Sequence, residues 1–439
     1  MGYISIIADD LTGASDTGIQ FRKYGLKTKV IVDVNQLEQF LDSDEVLAIN
    51  SNTRPLHGEK AYKIVYDICC LLKQSGFTRI YKKVDSTFRG NPGIELEAVM
   101  DALGANLAVL VPSFPENGRY MLDGYLKIAQ VLTNGNGKED MILINDGDQQ
   151  LCHVPTLIKE QMIRKVANIT INTVRQGIPA ILSEIEKLYA KGYQVMTIDA
   201  VTKGDLKNIA LACRMLPEET VMAGAAGFAS FLAKVMDLPS DTLRESPSKE
   251  GIILIVAGTC NPTTRKQIDE VMKNTDANLI KINTGKIING FTADEVEKVV
   301  CEMHELNKTN GVNGRISIIA VDSLFNANLY SSQIKKWGKT IAQAIGIIVE
   351  RLVNDQIVQS LVITGGDTAL HVLNALKAKG IELEEEVLPG IPLGRLIGGK
   401  ANDTPIITKA GGFGTPTAFL EVVKYLQTKE TTMNVKYKL

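Results

Sequence analysis

Tyr3-Ile4-Ser5-Ile6-Ile7-Ala8-Asp9-Asp10-Leu11-Thr12-Gly13-Ala14-Ser15-Asp16 is the stretch whose reading decides the fold. Its first six residues form a nearly continuous apolar run, the pattern of a strand buried on both faces. Two aspartates end the run, a Thr-Gly pair follows, and helical character is expected over residues 16–23. Strand, polar turn and helix in that order make the repeating unit of a parallel α/β sheet. Outward from this unit the alternation continues. Further strands are expected at residues 29–34, 46–50, 79–84, 107–111 and 194–198, and helices at 59–73, 92–103, 181–191 and 227–236. Residues 134–137 are polar and Gly-rich and read as a loop.

The alternation breaks once. Residues 237–251 carry two prolines, three serines and mixed charge without periodicity, which marks a linker. Beyond it the pattern restarts with strands at 252–257, 315–321 and 360–363. A chain of 439 residues exceeds what one hydrophobic core usually supports. The expected architecture is two α/β domains, each with a mostly parallel sheet flanked by helices. Their bounds are 1–236 and 252–439, with the linker between.

Composition narrows the function classes. A hydrophobic fraction of 45% and a charged fraction of 22% are ordinary globular values. A net charge of -2 argues against nucleic acid as a partner, although a local cationic cluster for a small anion is still allowed. Six cysteines, none in Cys-x-x-Cys spacing, point to reduced thiols and against a zinc site. The N-terminus lacks the basic and apolar regions of a signal peptide, and no apolar run reaches the ~20 residues of a membrane span. A cytoplasmic protein with no membrane partner is expected, with room for a homodimer.

The chemistry-bearing residues of the first half lie where strands end, which is where open α/β sheets bind ligands. Asp9 and Asp10 follow the first strand. Tyr81-Lys82-Lys83-Val84-Asp85-Ser86-Thr87-Phe88-Arg89-Gly90-Asn91-Pro92 follows a later one. Cations beside a carboxylate and hydroxyls suit an anionic polyol: Lys82, Lys83 and Arg89 for the acid, Asp85 and Ser86 for hydroxyl groups. Arg54, after a third strand, is a second candidate clamp, while His57 reads as a surface residue.

Three glycine-rich turns follow strands in the second half. They are Gly258-Thr259-Cys260-Asn261, Gly365-Gly366-Asp367-Thr368 and Lys409-Ala410-Gly411-Gly412-Phe413-Gly414. Such turns let backbone N–H groups at a helix start approach phosphate oxygens. None matches a Walker A loop or Gly-x-Gly-x-x-Gly. Three in one half-chain favour a nucleotide. Asp367 is the candidate Mg²⁺ ligand and Lys409 a candidate neutraliser of phosphate charge. Cys260 reads as a small packed side chain, and residues 389–394 as a rigid turn shaping a pocket wall.

Taken in order, Ile7 to Ala14, Lys83 to Asn91, Gly365 to Thr368 and Lys409 to Gly414 resemble the four-carbon acid sugar kinase family. The resemblance runs from about residue 3 to about residue 420. It implies a sugar-binding N-terminal domain, a nucleotide-binding C-terminal domain, and ATP with Mg²⁺ as phosphoryl donor. The implied acceptor is the terminal (4-) hydroxyl of a tetronate: D-threonate, D-erythronate or a 3-oxo-tetronate. The loop at 82–91 is more similar to the first two branches. At 258–261 the family often reads Gly-Ser-Cys-Ser, whereas this chain has Gly-Thr-Cys-Asn, so Asn261 offers an amide there.

On phosphoryl-transfer logic, Arg54, Lys82 or Arg89 would hold the acid's carboxylate. Asp9, Asp10, Asp85 and Ser86 would meet its hydroxyls, and Asp10 or Asp85 would accept the proton. Gly258, Thr259, Asn261, Gly365, Gly366, Asp367, Thr368, Lys409, Gly411 and Gly412 would contact ATP. The rivals are a dinucleotide-dependent oxidoreductase, disfavoured by the missing fingerprint, and a non-catalytic sugar-acid sensor.

Overall fold

The opening stretch forms strand β1, Tyr3–Ala8, and then the helix Leu11–Arg22, five residues earlier than its periodicity suggests. The cause is Asp10, which caps the helix: its side chain accepts a hydrogen bond from the Gly13 N–H at 2.8 Å. The computed structural model describes residues 3–41, 46–133, 139–143, 152–236, 251–308, 315–326 and 336–436. The chain divides into two compact units, Met1–Asp241 and Thr242–Leu439. Residues 237–250 of the expected linker, and the loop at 134–137, lie outside the described residues.

In the first unit the remaining strands are β2 (Thr28–Ile31), β3 (Val46–Asn50), β4 (Phe77–Lys83), β5 (Ala108–Val111), β6 (Arg119–Leu122), β7 (Tyr125–Thr133), β8 (Glu139–Leu143), β9 (Val166–Ile169), β10 (Val195–Ile198) and β11 (Val221–Gly224). Seven of them join β1 in a parallel run in the order β2-β3-β1-β4-β11-β5-β10-β9. Helices cover both faces, which is why β3 and β5 are buried along their whole length. The chain leaves β1 toward the β2 side and leaves β4 toward the β5 side. The two neighbouring carboxyl ends therefore open a crevice at a topological switch point. β6, β7 and β8 make a separate antiparallel ribbon that the sequence reading left out.

The second unit contains β12 (Ile252–Ala257), β13 (Asn278–Ile282), β14 (Ile316–Val321), β15 (Val358–Thr364), β16 (Gly380–Leu388), β17 (Ile391–Ile397) and β18 (Pro405–Lys409). Their order is β13-β14-β12-β15-β18-β17-β16, parallel through β18 and antiparallel beyond. β12 and β15 send the chain in opposite directions, giving a second switch point. The stretch 389–394, expected to be a turn, is a tight connection at 389–390 followed by strand residues of β17. Pro392 fits there because the β16–β17 ladder shifts register between Glu386 and Leu388.

Candidate active site

At the β1/β4 crevice the structure gathers five of the expected residues into one ionic network. Arg54 donates from Nε and Nη2 to the two oxygens of Asp9, both at 2.8 Å, and from Nη1 to Asp10 Oδ2 at 2.7 Å. Its Nη2 also lies 3.4 Å from Asp85 Oδ1. Arg89 completes the set, donating from Nε and Nη2 to Asp85 at 2.8 and 2.9 Å. Burial opposes the charge on Arg54, but the carboxylates of Asp10 and Asp9 outweigh it and strengthen its hold on the proton. For Asp85 burial alone would raise the carboxyl. Hydrogen bonds from Arg89 and the positive charges of Arg54 and Arg89 reverse this and hold it well below the usual carboxylate range.

One of the two expected proton acceptors, Asp85, fares poorly in this geometry. Asp85 Oδ2 also accepts from the Thr87 hydroxyl at 2.5 Å and the Thr87 N–H at 3.2 Å. Asp10 accepts from the Gly13 N–H, the Thr12 hydroxyl at 2.8 Å and Arg54. Asp85, held in this way, is stabilised in its charged form and is a weak base. Asp85 is therefore an anchor in this site, and its assignment as base is revised on that ground.

Lys82 and Lys83 separate, because successive residues of a strand face opposite sides of the sheet. Lys82 is 1% exposed and its ammonium lies 2.7 Å from Glu95 Oε2 on the helix Pro92–Leu103. It also donates to the carbonyls of Ile7 and Lys83 at 3.2 and 2.7 Å. Its donors are spent inside the fold, so it does not serve as a clamp for a substrate carboxylate. Lys83, 3% exposed, donates to the Val84 carbonyl at 2.9 Å and faces Asp16 on the helix Leu11–Arg22 at 3.9 Å. Ser86 is half-buried beside Asp85, and His57 is exposed.

Three residues missed by the sequence reading belong here. Glu95 was legible as an acid on the apolar stripe of Pro92, Leu96 and Val99, which calls for a buried partner. Thr87 was within the quoted motif but unassigned. Arg119 on β6 feels the charge of Asp85, although burial lowers its own pKa, and nothing in its local sequence signals a site.

In the second unit the three glycine turns follow β12, β15 and β18, which are hydrogen-bonded neighbours. Asn261 caps the helix Pro262–Asn274, its side chain accepting from the Thr263 N–H at 2.9 Å, and its own N–H donates to the Thr259 hydroxyl at 3.2 Å. Gly365, at φ +101°, begins the helix Gly366–Ala375, and its N–H donates to the Lys409 carbonyl at 2.9 Å. The turns pack without room for side chains. A Cβ on Gly258 would lie 2.2 Å from Thr368 Oγ1, and one on Gly411 2.9 Å from Thr259 Oγ1. The Thr264 hydroxyl donates to the Gly411 carbonyl at 3.0 Å, tying the first turn to the third. Gly412 lies beside the Asn261 amide. The turns thus set two helix starts at the ends of neighbouring strands, an arrangement suited to phosphate oxygens.

Lys409 acts otherwise than expected. It is 1% exposed and donates to the carbonyls of Ala410, Gly411 and Phe413 at 2.9, 3.2 and 3.0 Å. Burial pushes its ammonium down to about 7. Its hydrogens shape the glycine loop and are not aimed at phosphate. Asp367 is exposed in the first turn of its helix. Among the described residues no three His, Cys, Asp or Glu side chains converge as a metal cluster. One free carboxylate still suits Mg²⁺, which keeps several waters and takes most other ligands from substrate phosphates.

Comparison with known proteins agrees with this division of labour. A family model described as a sugar-binding N-terminal domain matches residues 4–232, and one described as a nucleotide-binding C-terminal domain matches residues 254–419. The D-threonate kinase of Salmonella typhimurium is 30% identical over 96% of this chain and 98% of its own length. The D-erythronate kinase of Heliobacterium modesticaldum is 30% identical over 98% of each chain. A Haemophilus influenzae protein of solved structure shares the fold, with a TM-score of 0.67 at 22% identity over 95% of this chain and 98% of its own. No helix among the described residues is long and apolar enough to cross a membrane.

Proposed function

The chain belongs to the four-carbon acid sugar kinase family, and from that premise we propose that it transfers the γ-phosphoryl group of ATP to the terminal hydroxyl of D-threonate or D-erythronate. The observation that carries the acceptor side is the Arg54 hub, which joins Asp9, Asp10 and Asp85 at the mouth of one crevice. Carboxylates fixed this way accept hydrogen bonds from a polyol with little reorganisation. Arg89, whose side chain is 65% exposed, is the cation best placed to meet the acid group, with Arg54 holding the polyol side.

The donor side rests on the three glycine turns. Backbone N–H groups at 258–260 and 366–368 would receive the ATP phosphates, with 411–412 closing the cradle. Asp367 would hold Mg²⁺ together with those phosphates, and the metal would supply charge neutralisation as the transferred group leaves ADP. The branch assignment rests on the loop at 82–91 and on the two kinase relatives.

The test is coupled ADP release by the purified chain with ATP–Mg²⁺. The panel is D-threonate, D-erythronate, their L-forms and 3-oxo-tetronates. Turnover on one of the first two is expected. Turnover confined to 3-oxo-tetronates would move the chain to the other branch, and none on any acid would refute the substrate class.

A further inference from the structure

We propose that Gln267 and Lys409 are positioning residues for the nucleotide. By holding carbonyls of the third glycine turn inward, they present the N–H groups of Gly411, Gly412 and Gly414 to its phosphates. The proposal rests on the kinase reading above and deepens it at the donor site. Gln267 lies on the helix Pro262–Asn274, 146 positions before Phe413.

The turn is fastened from beneath by three side chains. The Lys409 ammonium meets the carbonyls of Ala410, Gly411 and Phe413 at 2.9, 3.2 and 3.0 Å. Gln267 Nε2 donates to the carbonyls of Phe413 and Thr415, both at 2.9 Å. The Thr264 hydroxyl adds its bond to the Gly411 carbonyl at 3.0 Å. All three donor residues are buried, so these carbonyls point into the protein. In a trans peptide the carbonyl oxygen and the next N–H point in opposite directions. The inward carbonyls of Ala410, Gly411 and Phe413 therefore send the N–H groups of Gly411, Gly412 and Gly414 outward. None of those three N–H groups donates to a described residue, whereas that of Phe413 is spent on the Ala410 carbonyl at 3.1 Å. Gly412 and Gly414 are exposed and Gly411 is half-buried. Gly411 and Gly412 lie against Thr259 and Asn261, so their N–H groups belong to the same cradle as the first turn.

Two features set this apart from ordinary loop packing. The buried Gln267 amide gives Nε2 to the turn twice, while its Oε1 has no hydrogen-bond partner among the described residues. An unpaired buried acceptor is costly, and the flipped amide would set an oxygen against two carbonyls. What this side chain supplies is its two donors. Lys409 is a cation without a carboxylate partner among the described residues. A buried charge calls for a counter-charge, and an anion on the outer side of the turn, one peptide layer away, supplies it. An ammonium on the carbonyl also polarises the peptide, which makes the following N–H a stronger donor.

The test has two parts and uses the full chain. Amide hydrogen exchange of the wild type is read by mass spectrometry after labelling for seconds, with and without ADP–Mg²⁺. Peptides covering residues 411–414 should exchange more slowly with ADP bound. ADP binding seen by isothermal titration without that slowing overturns the proposal, and this part needs no variant to fold. Gln267→Met and Lys409→Met remove the donors at similar length. Each should raise Kd for ADP and KM for ATP at least about tenfold and keep KM for the sugar acid within about threefold. A merely structural role would lower the unfolding temperature and leave those nucleotide constants alone. A folded variant of either kind with both constants within about threefold of the wild type therefore overturns the proposal. These results leave the kinase reading intact. A wild type that neither binds ADP nor turns over any tetronate refutes that reading and the proposal together.

Discussion

Replacing Glu95 with Gln tests how the crevice is held open at its base. Lys82 and Glu95 are both 1% exposed and 2.7 Å apart. The Lys82 ammonium also donates to the carbonyls of Ile7 on β1 and of Lys83 on β4. The pair therefore ties the two strand ends carrying the ionic network to the helix Pro92–Leu103. Glu95→Gln keeps the volume and removes the charge, leaving a buried ammonium opposite a neutral amide. Breaking one side of a buried pair costs about 3–5 kcal/mol. For a unit of this size, at about 2–4 °C per kcal/mol, the unfolding temperature should fall by roughly 6–20 °C. Lys82→Met with Glu95→Leu removes both desolvation penalties and should return to within about 1 kcal/mol of the wild type. Urea unfolding followed by circular dichroism, with calorimetry to separate the two units, reads both. A single variant within about 1 kcal/mol of the wild type would refute the reasoning. So would a double variant as damaged as the single, because the charge would then not be the cause.

Three further outcomes are expected. Arg54→Lys keeps the charge but loses the fork that binds both oxygens of Asp9, so kcat/KM for the sugar acid should fall about 100-fold, about 2.7 kcal/mol, with KM for ATP unchanged. A fall of less than threefold in steady-state assays would mean that charge alone suffices. Gly258→Ala places a methyl 2.2 Å from Thr368 Oγ1 and should raise KM for ATP at least about tenfold while leaving KM for the acid unchanged. Isothermal titration with ADP would show the same loss. Asp16, raised from 3.8 to about 7, keeps a proton in the folded state that the unfolded chain gives up. Its stability contribution is full below about pH 4 and is lost as pH rises through about 7. Asp16→Asn should therefore gain on the wild type by up to about 4 kcal/mol at pH 8 and show no gain at pH 4, a contrast that denaturant titrations at the two pH values will read.

Much of the molecule was legible locally. Buried parallel strands are mostly apolar runs, so β1, β3, β12 and the 361–363 core of β15 stand out in the sequence. The turns that follow them carry the polar and glycine residues, and sheet geometry gathers strand ends on one edge. That made Asp9, Asp10, Arg54, Asp85, Gly258, Gly365 and Gly411 findable. β6–β8 and the β16–β17 hairpin were not, because short antiparallel strands of mixed polarity lack such a run.

The roles of the charges were a different matter. Lys82, Lys83 and Lys409 look alike in sequence, as cations beside candidate loops. In the structure Lys82 neutralises Glu95 on one face, Lys83 turns to Asp16 on the other, and Lys409 holds three loop carbonyls. Arg54 reads as a clamp for ligand yet grips aspartates 45 and 44 positions away. Periodicity is a property of neighbours along the chain, so the sequence by itself determines strands, helices and the edge where chemistry collects. Which carboxylate each cation meets depends on strand register, on which helix covers which face, and on how far burial raises the cost of an unpaired charge. Those are decided only when distant segments pack, and they separate Asp85, held low by two arginines, from Asp16, whose carboxyl burial raises to about 7.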